Sequence, residues 1–129
     1  MNKFRKVTKK ISTLVLAGAI IAGSSIVAMA RGNFDEIHPG GYTIVYGCNT
    51  YDDNCRLNVF MNSSFEMEMQ ISGTAFSDWG NADVGCYTSG GYNMDKTVYD
   101  EIGFYKLESM VEGWTMDGDY DYSPMYRDF

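Results

Sequence analysis

Residues 65–71 alternate strictly between apolar and polar side chains. The apolar side chains stand at the odd positions, and Glu66, Glu68 and Gln70 occupy the even positions. Because successive side chains of a β-strand point to opposite faces, this pattern predicts a strand that buries one face.

Two earlier segments also have the character of strands. In residues 56–62, Leu57, Val59 and Met61 are separated by mostly polar side chains, and residues 42–46 are rich in aromatic and β-branched side chains. Such residues are enriched in strands, so we expect two further strands here. The polar residues 62–64 then predict a hairpin turn between the second and third strands.

Residues 103–114 fit two periodicities. Tyr105, Leu107 and Val111 have the even spacing of a strand face. An amphipathic helix would instead gather Phe104, Leu107, Met110, Val111 and Trp114 on one face. We favour a strand, because the rest of the chain is β-rich and Gly113 would weaken the end of a helix.

Clusters of Gly, Asn and Asp separate these segments at residues 40–41, 78–81, 89–93 and 117–121. Turns at such spacing are typical of an all-β domain, so we predict a small antiparallel β-sandwich or sheet. The two ends of this domain are expected to be loosely held. Aromatic residues near the carboxyl end provide an alternative, in which the tail docks on a sheet face.

The amino terminus has the features of an export signal. A block of cations without acids precedes an apolar stretch at 11–22, and Ala28 and Ala30 have the small side chains that signal peptidase accepts. The cations are Lys3, Arg5, Lys6, Lys9 and Lys10. We predict a cleavable signal peptide at 1–30 and one secreted domain at 31–129, free of the membrane after cleavage. An uncleaved anchor over residues 11–30 is the alternative.

The secreted domain is strongly acidic. The chain has 10 basic and 17 acidic residues, and five of the basic ones leave with the signal peptide, so the charge becomes 5 minus 17, or −12. This charge repels phosphate backbones and anionic lipids, so we expect no nucleic-acid partner, and it favours cationic partners or metal ions. Solubility of an exported protein is the simpler explanation.

Three cysteines, Cys48, Cys55 and Cys86, remain in the secreted domain. An oxidising compartment favours at least one disulfide. Cys48 and Cys55 flank a segment rich in Asn and Asp, so we predict a disulfide between them across the mouth of a hairpin. Cys86 would then be a buried apolar residue or link two chains, and its pairing with another cysteine would close a longer loop.

Catalytic chemistry has little support in the sequence. His38 is the one histidine, no G-x-S-x-G motif occurs, and no C-x-x-C spacing suggests zinc. A histidine in a loop near a chain end is expected to be solvated. We therefore predict no enzyme, no catalytic residue and no organic cofactor.

A calcium site is the one metal site that the sequence suggests. Asp117, Asp119 and Asp121 stand at alternate positions and resemble the start of an EF-hand loop. Tyr122 replaces the glycine that this loop requires, so the full motif fails. A looser site at these residues, or at Asp78, Asn81 and Asp83, is possible on the ligand types alone. We favour a solvated acidic turn.

The secreted domain has ten tyrosines and two tryptophans. Such rings can build a face that binds protein or carbohydrate, although we favour a role in filling the core. We predict an extracellular binding or interaction protein. The alternatives are a toxin-like effector and a small hydrolase. A signal peptide before a short domain rich in Gly and aromatic residues resembles small exported proteins of Gram-positive bacteria, including bacteriocins of the lactococcin 972 type. This resemblance covers the architecture only.

Processing can be tested on the secreted protein. We expect its intact mass to correspond to a chain that begins at Arg31, because residues 28–30 form the cleavage sequence. Mass spectrometry of culture medium and membrane fractions measures this. A full-length chain retained in the membrane fraction would support the anchor instead.

Overall fold

The computed structural model describes residues 34–129. The strands are β1 (Phe34–Ile37), β2 (Ile44–Tyr51), β3 (Arg56–Ser77), β4 (Gly80–Asp83), β5 (Cys86–Tyr99), β6 (Phe104–Trp114) and β7 (Tyr120–Asp128), with a 3-10 turn (Pro39–Gly41) between β1 and β2. No α-helix occurs in this part of the chain, so the all-β prediction is confirmed. The predicted signal peptide, residues 1–30, lies outside the described residues.

All seven strands belong to one antiparallel sheet. The path of paired strands is β1, β2, β3, β6 and β7, in which β2 pairs with the first half of β3 and β6 with the second half. Beside these partners, β5 pairs with both halves of β3, and β4 pairs with its last residues. The strands therefore do not divide into the two separate sheets of a sandwich. Instead, the single sheet curls until it is nearly closed, like a barrel.

Strand β3 is 22 residues long and is shared by both halves of the sheet. Its first half pairs with β2 and its second half with β6, and β5 runs along both. Between the pairs Asn62–Asn93 and Met67–Gly91, β3 advances five residues while β5 advances two. Extra residues of this kind form a bulge that bends a strand. The bend carries β3 from one half of the sheet into the other.

The hairpin turn predicted at residues 62–64 is therefore wrong. These residues lie in the bulge of a continuous strand, where the Ser63 hydroxyl accepts a hydrogen bond from the backbone N–H of Phe65 at 3.1 Å. Serine forms such local bonds in bulges as readily as in turns. The turn predicted at 89–93 also lies within a strand, β5, opposite the bulge. The turns predicted near residues 40, 78 and 117 are confirmed.

The interior is filled mainly by aliphatic and methionine side chains. Met67, Met69 and Ile71 point inward as their alternation predicts, whereas Phe65, at the bulge, is half exposed. The core cluster contains Ile37, Ile44, Tyr46, Cys48, Leu57, Val59, Met61, Met67, Met69, Ile71, Ala75, Val84, Met94, Phe104, Leu107, Val111 and Met125. Burial of one large apolar side chain contributes roughly 1.5–3 kcal/mol.

The ambiguous segment and both ends that were expected to be loose contain strands, and at the amino end β1 pairs with β2. Residues 104–114 form β6, which confirms the preference for a strand over a helix. The last residues form β7, which pairs with β6 from Trp114–Tyr120 to Lys106–Asp128. The carboxyl end is therefore part of the sheet, and the expectation of a loose tail is wrong.

The sheet nearly closes where β1 approaches β7. The backbone N–H of His38 donates to Oδ2 of Asp121 at 2.8 Å, and the Tyr46 hydroxyl donates to Oγ of Ser123 at 2.8 Å. Both His38 and Asp121 are buried. The first bond joins the residue after β1 to β7, and the second joins β2 to β7, although no backbone ladder pairs β7 with β1 or β2.

The β2–β3 hairpin is confirmed, but its register corrects the prediction of a Cys48–Cys55 disulfide. Cys48 stands opposite Val59, whereas Cys55 lies in the turn beyond the last pair of the ladder. Cys48 is three strand positions, about 10 Å, behind that last pair, and a disulfide needs Cα atoms roughly 4.4–6.8 Å apart. All three cysteines, including Cys86 in β5, are free thiols.

The thiols of Cys48 and Cys86 behave as small apolar groups. Cys48 is buried in the core, and desolvation raises its pKa to about 11. Cys86 is partly buried against the same core, and burial likewise raises its pKa. The thiolate is the reactive form of cysteine, so both side chains are poor nucleophiles near neutral pH.

Gly73 of β3 lies where the strand approaches β6 most closely. Its φ is +155°, and an added Cβ would collide with the backbone carbonyl of Glu108. Gly80 has nearly the same φ, +156°, but an added Cβ would have nothing within 4 Å. Comparing an alanine substitution at each glycine therefore separates the cost of backbone strain from the cost of steric collision.

We expect Gly73→Ala to reduce the free energy of unfolding by about 1–3 kcal/mol more than Gly80→Ala, because only the first change overpacks a strand contact. Urea unfolding followed by tryptophan fluorescence measures both losses. Equal losses in the two variants would show that the backbone conformation alone requires glycine.

Candidate binding face

Aromatic side chains lie mostly on the surface. Among the described residues, Tyr46 is the one tyrosine in the core cluster. The exposed tyrosines are Tyr42, Tyr87, Tyr92, Tyr99, Tyr105, Tyr120, Tyr122 and Tyr126. The expectation that aromatic rings fill the core is therefore wrong, because methionine and aliphatic side chains occupy that space.

Several of these rings share one outer surface, formed by β5, the second half of β3, β6 and β7. Directly opposite residues of paired strands point to the same side of a sheet, so the register defines rows across this surface. One row contains Tyr87, Gln70, Glu112 and Tyr122, and the neighbouring row contains Glu68, Trp114 and Tyr120. We call these seven residues the aromatic face.

The aromatic face follows from strand alternation. In β7, Asp121 points inward, which directs Tyr120 and Tyr122 outward. The same alternation directs Trp114 of β6 and Glu68 of β3 outward. Because the β3–β6 and β6–β7 ladders run without a register shift here, the spacing of these side chains is fixed by the ladders rather than by a loop.

Three rings of the aromatic face form one stack. The ring centroids of Trp114 and Tyr120 are 5.2 Å apart, with the planes tilted by 37°. Those of Tyr120 and Tyr122 are 5.7 Å apart, and the planes differ by 21°. Such contacts stabilise ring pairs by roughly 0.5–1.5 kcal/mol, so the stack restrains its rings before any ligand arrives.

Two tyrosines of the face donate hydrogen bonds to glutamates. The Tyr87 hydroxyl donates to Oε2 of Glu68 at 2.6 Å, and the Tyr120 hydroxyl donates to Oε2 of Glu112 at 2.7 Å. The bond to Glu68 raises the pKa of Tyr87, and the bond to Glu112 raises the pKa of Tyr120 to about 12. Both hydroxyls therefore remain donors well above neutral pH.

Each of these hydrogen bonds uses one carboxylate oxygen. Within residues 34–129, no lysine or arginine forms an ion pair with Glu68 or Glu112. The second oxygen, Oε1, of each glutamate accepts no hydrogen bond from the described residues. The face thus combines restrained rings with two carboxylates that retain the capacity to bind a donor.

The same outer surface holds one cation of the protein itself. Lys106 Nζ lies 3.1 Å from Oε1 of Glu108 and 4.7 Å from the ring centroid of Phe76. Glu108 stands opposite Tyr126 in the ladder, two residues along β6 from Lys106. On this surface an ammonium group is therefore already bound between a carboxylate and an aromatic ring.

His38 does not lie in a solvated loop, so that expectation is wrong. Its side chain is buried at the junction of β1 and β7, where Nδ1 is 3.3 Å from the Thr43 hydroxyl. Its backbone N–H binds Asp121, as described above. These contacts give His38 a structural role in joining the two edges of the sheet.

The structure does not gather the three aspartates of the predicted calcium site. Asp117 is exposed in the β6–β7 turn, the Asp119 carboxylate lies beside Gly40, and Asp121 points inward to His38. Among residues 34–129, no group of three or more His, Cys, Asp or Glu side chains is arranged to hold a metal ion. The calcium prediction therefore receives no support here, nor does the alternative set in the β3–β4 hairpin.

Sequence reasoning did not identify Glu68, Gln70 or Glu112 as site residues. The sequence showed them only as polar residues at alternate positions of predicted strands, and alternation does not reveal which strands are neighbours in the sheet. The pairing of β3 with β6 brings Glu68 beside Trp114 and Gln70 beside Glu112. Only the register therefore assembles the face.

Comparison with known proteins found no matching family, curated protein or solved structure. Within the part of the chain that the structure describes, no helix is long and apolar enough to cross a membrane.

The hydrogen bond between Tyr120 and Glu112 can be tested by titration. We expect Glu112→Gln to lower the pKa of Tyr120 from about 12 toward its ordinary value of 10.0, because the charged acceptor is lost. A pKa raised in the folded state contributes stability below pH 10, and that stability is lost between about pH 10 and 12. NMR of tyrosines labelled at Cζ measures each pKa.

Glu68→Gln is the matched control, since it should lower the pKa of Tyr87 and leave that of Tyr120 unchanged. An unchanged Tyr120 titration in Glu112→Gln would contradict the assigned contact.

Proposed function

We propose that the protein is a secreted, non-catalytic binding protein that recognises an extracellular partner through the aromatic face. The observation that carries this proposal is the register that places stacked, exposed rings beside two hydrogen-bonded glutamates on regular sheet. Charge, burial and ring geometry support it in separate ways.

Energetics favour a binding role for the exposed rings. Tyr87 and Tyr122 each expose more than half of their surface to solvent, although polar residues could occupy the same outward positions. Contiguous exposed apolar surface on a monomer commonly marks an interaction site. Tyr and Trp are also the residues that most often dominate binding energy, because they bury large area with few rotatable bonds.

Restraint of the face supports the same conclusion. The ring of Tyr120 contacts the rings of both Trp114 and Tyr122, and its hydroxyl donates a hydrogen bond to Glu112. Ordering a mobile side chain on binding costs about 0.5–1.5 kcal/mol, so restrained rings reduce that cost. This arrangement is typical of a surface that is complementary to its partner before they meet.

The stacking favours a protein partner over a carbohydrate. A sugar ring binds best against an open aromatic face, whereas the ring of Tyr120 already contacts the rings of Trp114 and Tyr122. What the stack offers to solvent is ring edges, hydroxyls and carboxylates, which suit the mixed chemistry of a polypeptide. Carbohydrate recognition is therefore an outcome that the experiment below must separate.

The hydrolase alternative is disfavoured by the position of His38. A general base must reach its substrate, whereas His38 is buried beside Thr43 at the strand junction.

A toxin-like effector would also need a surface that binds its target, so the aromatic face does not distinguish it from other binding proteins. Growth inhibition of related bacteria by the purified protein is a separate assay of that alternative.

The proposal predicts which tyrosines matter for binding to cell surfaces. We expect Tyr122→Ala and Tyr87→Ala each to weaken saturable binding of fluorescently labelled protein to bacterial cells roughly 10- to 30-fold, as loss of an aromatic anchor does. Tyr99→Ala is the matched control, because Tyr99 is exposed on β5 opposite Arg56, in the other half of the sheet. All three changes are at exposed positions, and circular dichroism should show an unchanged fold.

Two treatments of the cells identify the partner class. Protease treatment should abolish binding, whereas periodate oxidation of glycans should preserve it. Loss of binding with periodate alone would make the partner a carbohydrate. Equal binding by Tyr122→Ala, Tyr87→Ala and the unmodified protein would refute a role for the aromatic face.

A further inference from the structure

We infer that the aromatic face binds an extended basic segment of a polypeptide, in which lysine or arginine at alternate positions contacts Glu68 and Glu112. This inference rests on the proposed function, because it specifies the chemistry of the partner. It depends on three further observations: the charge balance, the cation already bound on this surface, and the spacing of the two glutamates.

The excess of acidic over basic residues disfavours an acidic partner and favours a basic one. Five of the 10 basic residues of the chain lie in the predicted signal peptide, which leaves five bases against all 17 acids in residues 31–129. The seven residues of the aromatic face include two acids and no base. Complementary charge of this kind speeds encounter and selects among partners.

The protein itself shows how this surface binds a cation. Lys106 lies between the Glu108 carboxylate and the Phe76 ring. In the other half of the sheet, Arg56 pairs with Asp52 while its guanidinium stands 6.0 Å from the ring centroid of Tyr51. A cation over an aromatic ring is attracted by the negative face of the ring.

Glu68 and Glu112 reproduce that combination, and no cation among residues 34–129 pairs with either of them. Glu68 stands opposite Trp114, Glu112 stands opposite Tyr122, and each has one oxygen outside its tyrosine hydrogen bond. A basic side chain from a partner would occupy the position that Lys106 occupies beside Glu108.

The spacing of the two glutamates specifies the partner segment. Because Glu68 pairs with Trp114, and Glu112 is two residues from Trp114, the glutamates are diagonal neighbours on adjacent strands. Such neighbours have Cα atoms about 7–8 Å apart. Residues i and i+2 of an extended chain are about 6.6 Å apart and point to the same side. Basic residues at alternate positions of an extended segment therefore match both carboxylates.

Synthetic peptides of about eight residues test this inference. The first carries arginine at its third and fifth positions in a Thr-rich background, the second carries adjacent arginines, and the third carries glutamates at the third and fifth positions. Trp79→Phe leaves Trp114 as the one tryptophan, so its fluorescence reports directly on the aromatic face. We expect the first peptide to bind most tightly, with affinity that falls as salt rises, and the glutamate peptide not to bind.

Charge variants locate the contact. Glu68→Gln and Glu112→Gln should each weaken binding of the first peptide about 2- to 5-fold, the range of a surface ion pair. Glu101→Gln removes the same charge from the β5–β6 connection, far from the face in the register, and should change affinity less than 1.5-fold. Thermal unfolding should confirm that all three variants are folded.

Two results would overturn the inference. Equal weakening by Glu101→Gln would mean that binding depends on net charge alone, and equal affinity for the adjacent-arginine peptide would refute the spacing. If no basic peptide binds while Tyr122→Ala still loses cell binding, the partner chemistry is wrong and the proposed function stands. If Tyr122→Ala keeps cell binding, the proposed function itself fails.

Discussion

The bend in β3 is the constraint on which the rest of the structure depends. A straight strand of 22 residues would be about 70 Å long at roughly 3.3 Å per residue. A domain of about 100 residues has a radius of gyration of only roughly 13 Å, so such a strand has to bend to remain in it. The register shift between Asn62 and Met67 supplies the bend. Because one strand serves both halves of the sheet, their inward side chains converge on a single core and their outward side chains face different directions.

The aromatic face is a consequence of how that core is filled. Met67, Met69 and Ile71 occupy the inward positions of β3 beyond the bend, and Val111 of β6 continues the same layer. Methionine is flexible and fills irregular space, so the curved interior is packed with few large rings. Tyrosine and tryptophan are left at the outward positions of the neighbouring strands. The strand pairing fixes which residues of each strand point outward. A register shift of one residue would turn these rings inward and bury the neighbouring carboxylates as well.

Local pattern predicted individual strands well and their assembly poorly. The alternation at residues 65–71 and the preference for a strand at residues 103–114 are confirmed, because both depend on side chains within one segment. The turn predicted at 62–64 and the Cys48–Cys55 disulfide are wrong, because a bulge and a turn attract the same polar residues and because register is set between strands. The burial of His38 depends on the approach of β1 to β7, which connects residues 83 positions apart in the chain. No short window of sequence contains that information.

The distribution of the carboxylates explains why this acidic surface suits a polypeptide better than a metal ion. Calcium requires about six to eight oxygens at roughly 2.4 Å, so its ligands must converge on one point. Glu68 and Glu112 instead occupy separate rows, and a tyrosine hydroxyl holds each one away from the other. The Cα atoms of the two glutamates lie about 7–8 Å apart and each carboxylate is bonded to a different tyrosine, so each can accept its own ammonium or guanidinium group. The rings between them then supply the apolar contact that the methylene groups of lysine and arginine require. Dispersed charge interleaved with restrained aromatic side chains would suit the proposed partner, whose own cations are spaced along a chain.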